Sequence, residues 1–335
     1  MKDKKETKKE FRKEDKMPDS LRGIAGRHSM HIGAAIEPLL LRTDKKYQEL
    51  FLKEFSAATP ENVMKMQLIH PERDRFDFSE ADFLVDFCEK NNILLRGHTL
   101  VWHNQLPKWM QDGSFSRDEL ISIMREHIHA VVGRYKGKIV EWDVVNEAID
   151  DEGNFRDSLW YSTIGQEFIS LAFKFAHEAD PDAALFYNDY NIESINNKSD
   201  KVYTMLTQLK SKGCPIHGLG LQAHFSLENF PPVSGIARNI ERFSDLGLHI
   251  DVTEMDVRIK LPVTGKKLEE QAEIYGSMLK LAIDHKINIF ILWGICDKHS
   301  WIPGFFKDHD SGLLFDKDYL PKPAYHRMIR YLKRS

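Results

Sequence analysis

The sequence lacks the features that would place it in several common classes. It has no run of about 18 consecutive apolar residues, which excludes a membrane-spanning helix. Residues 1–20 lack the apolar centre of a secretory leader, so a cytoplasmic protein is expected; the alternative is a secreted protein whose leader is missing from this chain. Cys88, Cys214 and Cys296 are its three cysteines, widely spaced, with no CxxC pair and no clustering with histidine; they fit unpaired small apolar residues rather than a disulfide framework or a zinc site. Neither GxGxxG nor GxxxxGK[ST] follows the first apolar strand, so nothing supports a nucleotide-binding fold. Nor is there an excess of positive charge. Lys and Arg number 47 against 51 Asp and Glu, a net charge of −4, which gives no field for nucleic acid or an anionic membrane. A neutral, polar partner fits better.

What is present is the material for one large domain: 335 residues, 42% hydrophobic and 29% charged. The first stretch stands apart. Residues 1–16 hold eight basic and five acidic side chains with a single aromatic, too little apolar surface to offset ordering, so residues 1–20 are expected to be a charged, disordered tail. Beyond it, apolar runs of strand length alternate with helical periods. The strand candidates are residues 30–36, 63–67, 93–100, 139–147, 184–190, 217–224, 249–255 and 289–295, eight in all, the number that closes a barrel. Amphipathic stretches at 47–55, 78–90, 120–135, 168–179 and 271–286 repeat their apolar positions every three or four residues. The alternation predicts an α/β fold, a single (β/α)8 TIM barrel over residues 21–335, with a doubly wound open sheet as runner-up.

In such a barrel the C-terminal ends of the strands form the active face. Those ends are loaded here with polar and aromatic residues. They carry Glu61, Asn62 and Lys65, then His98, Trp102 and His103, Asn146 and Glu147, Asn188 and Tyr190, Gln222 and His224, Glu254 and Asp256, and finally Trp293 and Trp301. Two apolar strands, EWDVVNE and IDVTE, end on glutamate. An unpaired buried carboxylate is costly, so each of these has a partner or a task. Taken singly, either could be a structural ion-pair partner; taken together on strands that face each other across a barrel mouth, they fit hydrolysis of a glycosidic bond. That reaction needs one carboxyl as acid and another as nucleophile or base, roughly 5–5.5 Å apart for retention and roughly 6.5–9.5 Å for inversion.

Neighbouring residues have matching tasks. His224 is placed to hydrogen-bond Glu254 and hold it charged, with Asp256 orienting the imidazole. Asn146 suits the sugar 2-hydroxyl, and Lys65, His98 and Glu61 the remaining hydroxyls. Trp102, Trp293 and Trp301 offer flat faces for pyranose rings.

The strings GHTLVWHNQLPKW, WDVVNEA, YNDYN, LQAHF, HIDVTEMDV and WGICDKHSW resemble, in order and spacing, the signature segments of glycoside hydrolase family 10, the barrel-type endo-β-1,4-xylanases. The likeness runs from about residue 31 to residue 330. It implies retaining hydrolysis of xylan or xylo-oligosaccharides without metal or other cofactor, with Glu147 as acid/base and Glu254 as nucleophile. It further implies that Asn146, Lys65, Glu61, Asn62, His98 and Trp102 line the glycone side, with Gln222 and His224 near the nucleophile. Trp293 and Trp301 would close the sugar site, and Tyr190 and Asn191 would meet the aglycone.

Cys296 and His299 depart from the pattern, which usually has a hydroxyl residue and often Tyr there. No stretch is left over for a carbohydrate-binding module, and with no leader the likeness points to the intracellular branch of the family. Oligomeric state stays open. So do three rival readings: a metal-dependent hydrolase built on His98, His103 and His224, a noncatalytic sugar-binding barrel, and a barrel glycosidase acting on β-glucan or mannan.

Overall fold

The computed structural model describes residues 19–334. Residues 1–18, which make up nearly all of the expected tail, lie outside them. Eight parallel strands close on themselves: β1 His31–Ile36, β2 Ala57–Pro60, β3 Leu94–Val101, β4 Glu141–Asn146, β5 Ala184–Asp189, β6 Gly218–Leu221, β7 His249–Lys260 and β8 Ile289–Leu292. Each pairs with the next, and β8 pairs back with β1. Outside them run α1 Lys45–Glu54, α2 Ser79–Lys90, α3 Arg117–Arg134, α4 Glu167–Ala179, α5 Asn197–Ser211, α6 Val233–Ser244, α7 Gly265–Asp284 and α8 Pro323–Leu332. This is a (β/α)8 barrel. No helix among the described residues is long and apolar enough to cross a membrane. At the closed end, the Ser20 hydroxyl accepts from the Gly23 amide and caps the short helix Leu21–Ala25.

The second strand is not where the sequence places it. Residues 63–67 lie beyond the strand, leading into the short helix Met66–Ile69, while β2 is the small-residue run Ala57–Pro60. Val63, Met64 and Met66 are buried, an apolar run that imitates a strand although it packs down the loop and the start of the short helix. Ala and Thr between larger strands carry too weak a hydrophobic signal to be read as a strand. The other difference is length. Sequence expectation ended strand seven at residue 255, but β7 continues to Lys260, where it pairs with the short antiparallel segment His309–Asp310 and with His224–Ser226. That extension lifts Asp256 and Arg258 above the barrel rim.

Inside the barrel is a charged layer. Arg96 is fully buried, its guanidinium meeting Asp143 at 2.9 Å, Glu141 at 3.0 Å and Asp251 at 3.7 Å. Buried ions need such complete partnering because their desolvation is otherwise uncompensated. Asp143 also accepts from His98 Nδ1 at 2.9 Å, which carries the layer upward to the mouth.

On the outer side, His127 of α3 stacks near-parallel on His70 with ring centroids 5.6 Å apart. Burial, and then the proximity of His70, push the His127 pKa down to about 3. The unfolded chain therefore takes up a proton near pH 6.5 that the folded chain refuses until about pH 3. Stability contributed by neutral His127 is complete above pH 6.5 and is lost as pH falls towards 3. Urea unfolding of His127→Leu is expected to show a stability loss between pH 7 and pH 4 smaller than that of the unmodified chain by roughly 3 kcal/mol. Equal slopes would refute the assignment.

Candidate active site

The open end of the barrel is built from strand termini that turn sharply. Glu147, Asn191 and Ala223 all have positive φ, at 56°, 55° and 60°, a conformation non-glycine residues adopt only when their surroundings enforce it. At Glu147 the enforcement is visible. Its amide donates to Asn188 O at 2.9 Å, its carbonyl accepts from Arg156 Nε at 2.9 Å, and the next amide, Ala148, donates to the Tyr187 hydroxyl at 3.0 Å. The turn brings the carboxylate over the barrel axis.

There Glu147 is surrounded by N–H donors. Oε1 accepts from Asn146 Nδ2 at 3.1 Å and Gln222 Nε2 at 3.0 Å, and Oε2 from Trp102 Nε1 at 2.9 Å. Across the mouth, Glu254 Oε1 accepts from Asn188 Nδ2 at 2.7 Å, and Oε2 lies 3.2 Å from His224 Nε2. The two carboxylates are joined through amides: Asn146 Oδ1 accepts from Asn188 at 2.9 Å and from Gln222 at 3.2 Å. Asn188 has room because β6 carries Gly220 opposite it; a Cβ there would come within 2.2 Å of Asn188 Oδ1.

His224 stands between two carboxylates, with Nδ1 2.9 Å from Asp256. Strand pairing puts it there, since His224 and Asp256 are register partners. Asp256 also accepts from Trp301 Nε1 at 2.8 Å. Burial disfavours the imidazolium, but Asp256 and Glu254 outweigh it and raise the His224 pKa to about 10. Glu254 shows the converse: burial would lift its carboxyl, yet the His224 hydrogen bond and the charges of His98 and His224 hold it below the ordinary value of 4.5. The site thus contains a pre-ionised carboxylate beside a permanent cation.

Along one wall, Lys65 Nζ donates to Asn62 Oδ1 at 3.2 Å and lies 5.0 Å and 5.7 Å from the ring centroids of Trp102 and Trp293. Asn62 donates to Glu37 at 2.6 Å. Glu61 is pushed up to about 7, by burial first and by the charge of Glu37 second. On the other side, the Tyr190 hydroxyl accepts from Arg156 at 2.9 Å and donates to Asp151 at 3.2 Å, while Asn191 Nδ2 donates to Asp151 at 3.3 Å.

All but two of the candidate site residues singled out in the sequence line a single cavity of about 570 Å³: Glu61, Asn62, Lys65, His98, Trp102, His103, Asn146, Glu147, Tyr190, Asn191, Gln222, His224, Glu254, Trp293 and Trp301. The exceptions are Asp256, which stands behind His224, and Asn188, which donates to Asn146 and Glu254. Cys296 and His299, the two departures, do not line it; Cys296 is buried and His299 packs edge-on against Tyr47. His98 faces Asp143 and, at 3.9 Å, Glu254; His103 faces Glu147; His224 lies between Glu254 and Asp256. Among the described residues no three His, Cys, Asp or Glu side chains are grouped to hold a metal ion.

Sequence reading missed Glu37, Arg156, Arg258 and Phe306. Glu37 follows the apolar strand β1 directly, the same signal that singled out Glu147 and Glu254, and it was legible. Arg156, nine positions after Glu147 in a loop, and Phe306, in a loop beyond β8, carry no periodic signal that separates them from ordinary surface residues.

The model of glycosyl hydrolase family 10 matches residues 20–331. Endo-1,4-beta-xylanase B of Thermotoga neapolitana is 45% identical over 91% of this chain and 89% of its own length. The endo-1,4-beta-xylanase of Geobacillus stearothermophilus is 41% identical over 90% of this chain and 96% of its own. Among solved structures, xylanase 10B from Thermotoga petrophila RKU-1 in complex with xylobiose aligns with a TM-score of 0.92 and 45% identity, covering 94% of this chain and 97% of that one.

Proposed function

The chain belongs to glycosyl hydrolase family 10, and on that premise we propose that Glu147 and Glu254 carry out the double displacement by which it hydrolyses β-1,4-xylosidic bonds. The protein is an endo-1,4-β-xylanase. The observation that carries the residue assignment is the asymmetry of the two carboxylates: Glu254 is hydrogen-bonded to His224, whose pKa is raised to about 10, while Glu147 accepts from the N–H groups of Trp102, Asn146 and Gln222, with His103 no nearer than 3.8 Å.

In the first step the Glu147 carboxyl passes its proton to the glycosidic oxygen as a Glu254 oxygen attacks the anomeric carbon from the opposite face. The C1–O bond breaks, the leaving chain departs as an alcohol, and a glycosyl ester forms on Glu254. In the second step Glu147, now a carboxylate, takes a proton from water, whose oxygen attacks the same carbon and releases Glu254. Asn146, Gln222 and Trp102 are all donors towards Glu147, a set suited to the carboxylate the second step requires. Asn146 is placed to hydrogen-bond the 2-hydroxyl as charge develops. Glu61, Asn62, Lys65, His98 and the rings of Trp102, Trp293 and Trp301 bind the glycone, and Tyr190 and Asn191 the aglycone. The closeness of Lys65 to Trp102 and Trp293 supports a glycone site too tight for the hydroxymethyl group of a hexose.

Timed digestion of xylohexaose with an anomer readout tests both parts. Internal cleavage to β-anomeric products, with cellohexaose cleaved at least about 100-fold more slowly, is the expected result; a hydroxymethyl group that does not fit costs several kcal/mol. α-Anomers would overturn the double displacement, and equal rates on the two substrates would overturn the selectivity.

A further inference from the structure

A second cavity, of about 580 Å³, adjoins the cleft on the side of Tyr190 and Asn191. The two share Asp151, Asn191, His224 and Arg258 as common wall. Three cations line the side cavity, and two are satisfied by carboxylates. His224 meets Glu254 and Asp256, and Lys198 meets Asp189 at 2.8 Å. Arg258 is different. Among the described residues no carboxylate lies within 4 Å of its guanidinium; its one protein hydrogen bond is to Phe225 O at 3.4 Å, and its buried Nε has no partner.

The guanidinium is nonetheless held in place. It stacks on Phe306 with Cζ 4.2 Å from the ring centroid, and it projects from the extension of β7 that rises above the rim. A planar fork of donors, fixed on an aromatic face and without an internal counter-ion, is a receptor for a carboxylate. The acids that share this cavity are engaged elsewhere. Asp151 is held by Lys198 at 3.6 Å and by Tyr190 and Asn191, and Glu193 is buried, accepting from the Ala223 amide at 2.7 Å. A linear, uncharged xylan chain has no group that matches Arg258. A uronic acid attached to it does.

We propose that Arg258 is a specificity-determining residue that reads the carboxylate of a uronosyl branch on the aglycone part of the substrate, with the side cavity receiving the branch. This rests on the reading of the cleft as a xylan site and names a substrate subclass for it. A neutral branch of the same size would enter the same space without meeting the charge.

The test uses the full chain and three substrates: linear xylohexaose, a xylo-oligosaccharide bearing one glucuronosyl branch, and the same branched compound with its carboxyl reduced to the neutral sugar. For the unmodified enzyme, kcat/KM on the acidic branched substrate should exceed that on the neutral branched one, and the excess should shrink with added salt. Arg258→Gln should lower the acidic-to-neutral ratio by roughly tenfold, the range of one charge-assisted hydrogen bond. Arg258→Lys, which keeps the charge but not the fork, should recover part of it. An unchanged ratio in Arg258→Gln, or equal losses on the acidic and neutral branched compounds, overturns the proposal. Failure of the unmodified enzyme to cleave linear xylohexaose would instead overturn the xylan reading beneath it.

Discussion

Glu254→Gly is expected to lower kcat on xylo-oligosaccharides by roughly 10⁴-fold or more, because it removes the atom that bonds to the anomeric carbon and leaves no substitute within reach. Added azide should restore turnover. It enters the space the carboxylate vacates, attacks from the same face in one displacement, and yields an α-xylosyl azide. Measuring kcat with and without azide, and the anomeric configuration of the product, decides the role. Retained hydrolysis without azide, or a β-azide product, would assign the nucleophile elsewhere. The environment of Glu254 adds a pH statement. Burial opposes its ionisation, but His224 and His98 hold its carboxyl below 4.5, so the ionised form persists as pH falls and is lost only beneath that value. The acid limb of kcat/KM is therefore expected below pH 4.5.

Glu147→Ala should divide substrates by their leaving groups. On xylo-oligosaccharides, whose leaving oxygen is a poor anion, loss of the proton donor is expected to cost roughly 10³-fold or more, within the upper range of general acid catalysis. On an aryl xylobioside with an acidic phenol, the first step needs no proton. The glycosyl ester then forms with a burst of phenol, and its hydrolysis becomes slow because no base activates water. Azide, which needs no base, should accelerate that second step and give a β-azide. A uniform loss on both substrate types, with no burst, would show that Glu147 only supports the architecture. Thermal unfolding of the variant separates this from a folding defect.

The barrel and the two glutamates were legible because they rest on local, repeated signals. Apolar strands alternate with amphipathic helices, and a carboxylate that ends an apolar strand is too costly to leave without partner or task. Glu37 obeys the same rule after β1 and was legible but passed over. β2 was not legible, since Ala57, Ala58 and Thr59 are small and their strand character comes from pairing with β1 and β3 rather than from their own hydrophobicity. The His224–Asp256 contact followed from strand-end position, and pairing of the two segments realises it. What the sequence does not reveal are relations that require three-dimensional closure: the amide bridge from Asn146 through Asn188 to Glu254 depends on the missing side chain of Gly220, and Arg258 is conspicuous only because, among the described residues, no carboxylate lies within 4 Å of its guanidinium.

The buried Arg96 layer bears on how this enzyme can be engineered. Replacing an interior ion cluster with apolar side chains of equal volume is a recognised route to greater thermal resistance, since such clusters often contribute little net stability. Here Asp143 belongs both to that cluster and to the support of His98, whose ring lies against Trp293 with 5.2 Å between centroids and whose Nδ1 is 3.9 Å from Glu254. A redesign that emptied the layer of charge would take away the hydrogen bond that fixes the imidazole beside the nucleophile. Thermostabilising substitutions are better directed to the outer helices, where the barrel interior and the catalytic floor are no longer the same residues.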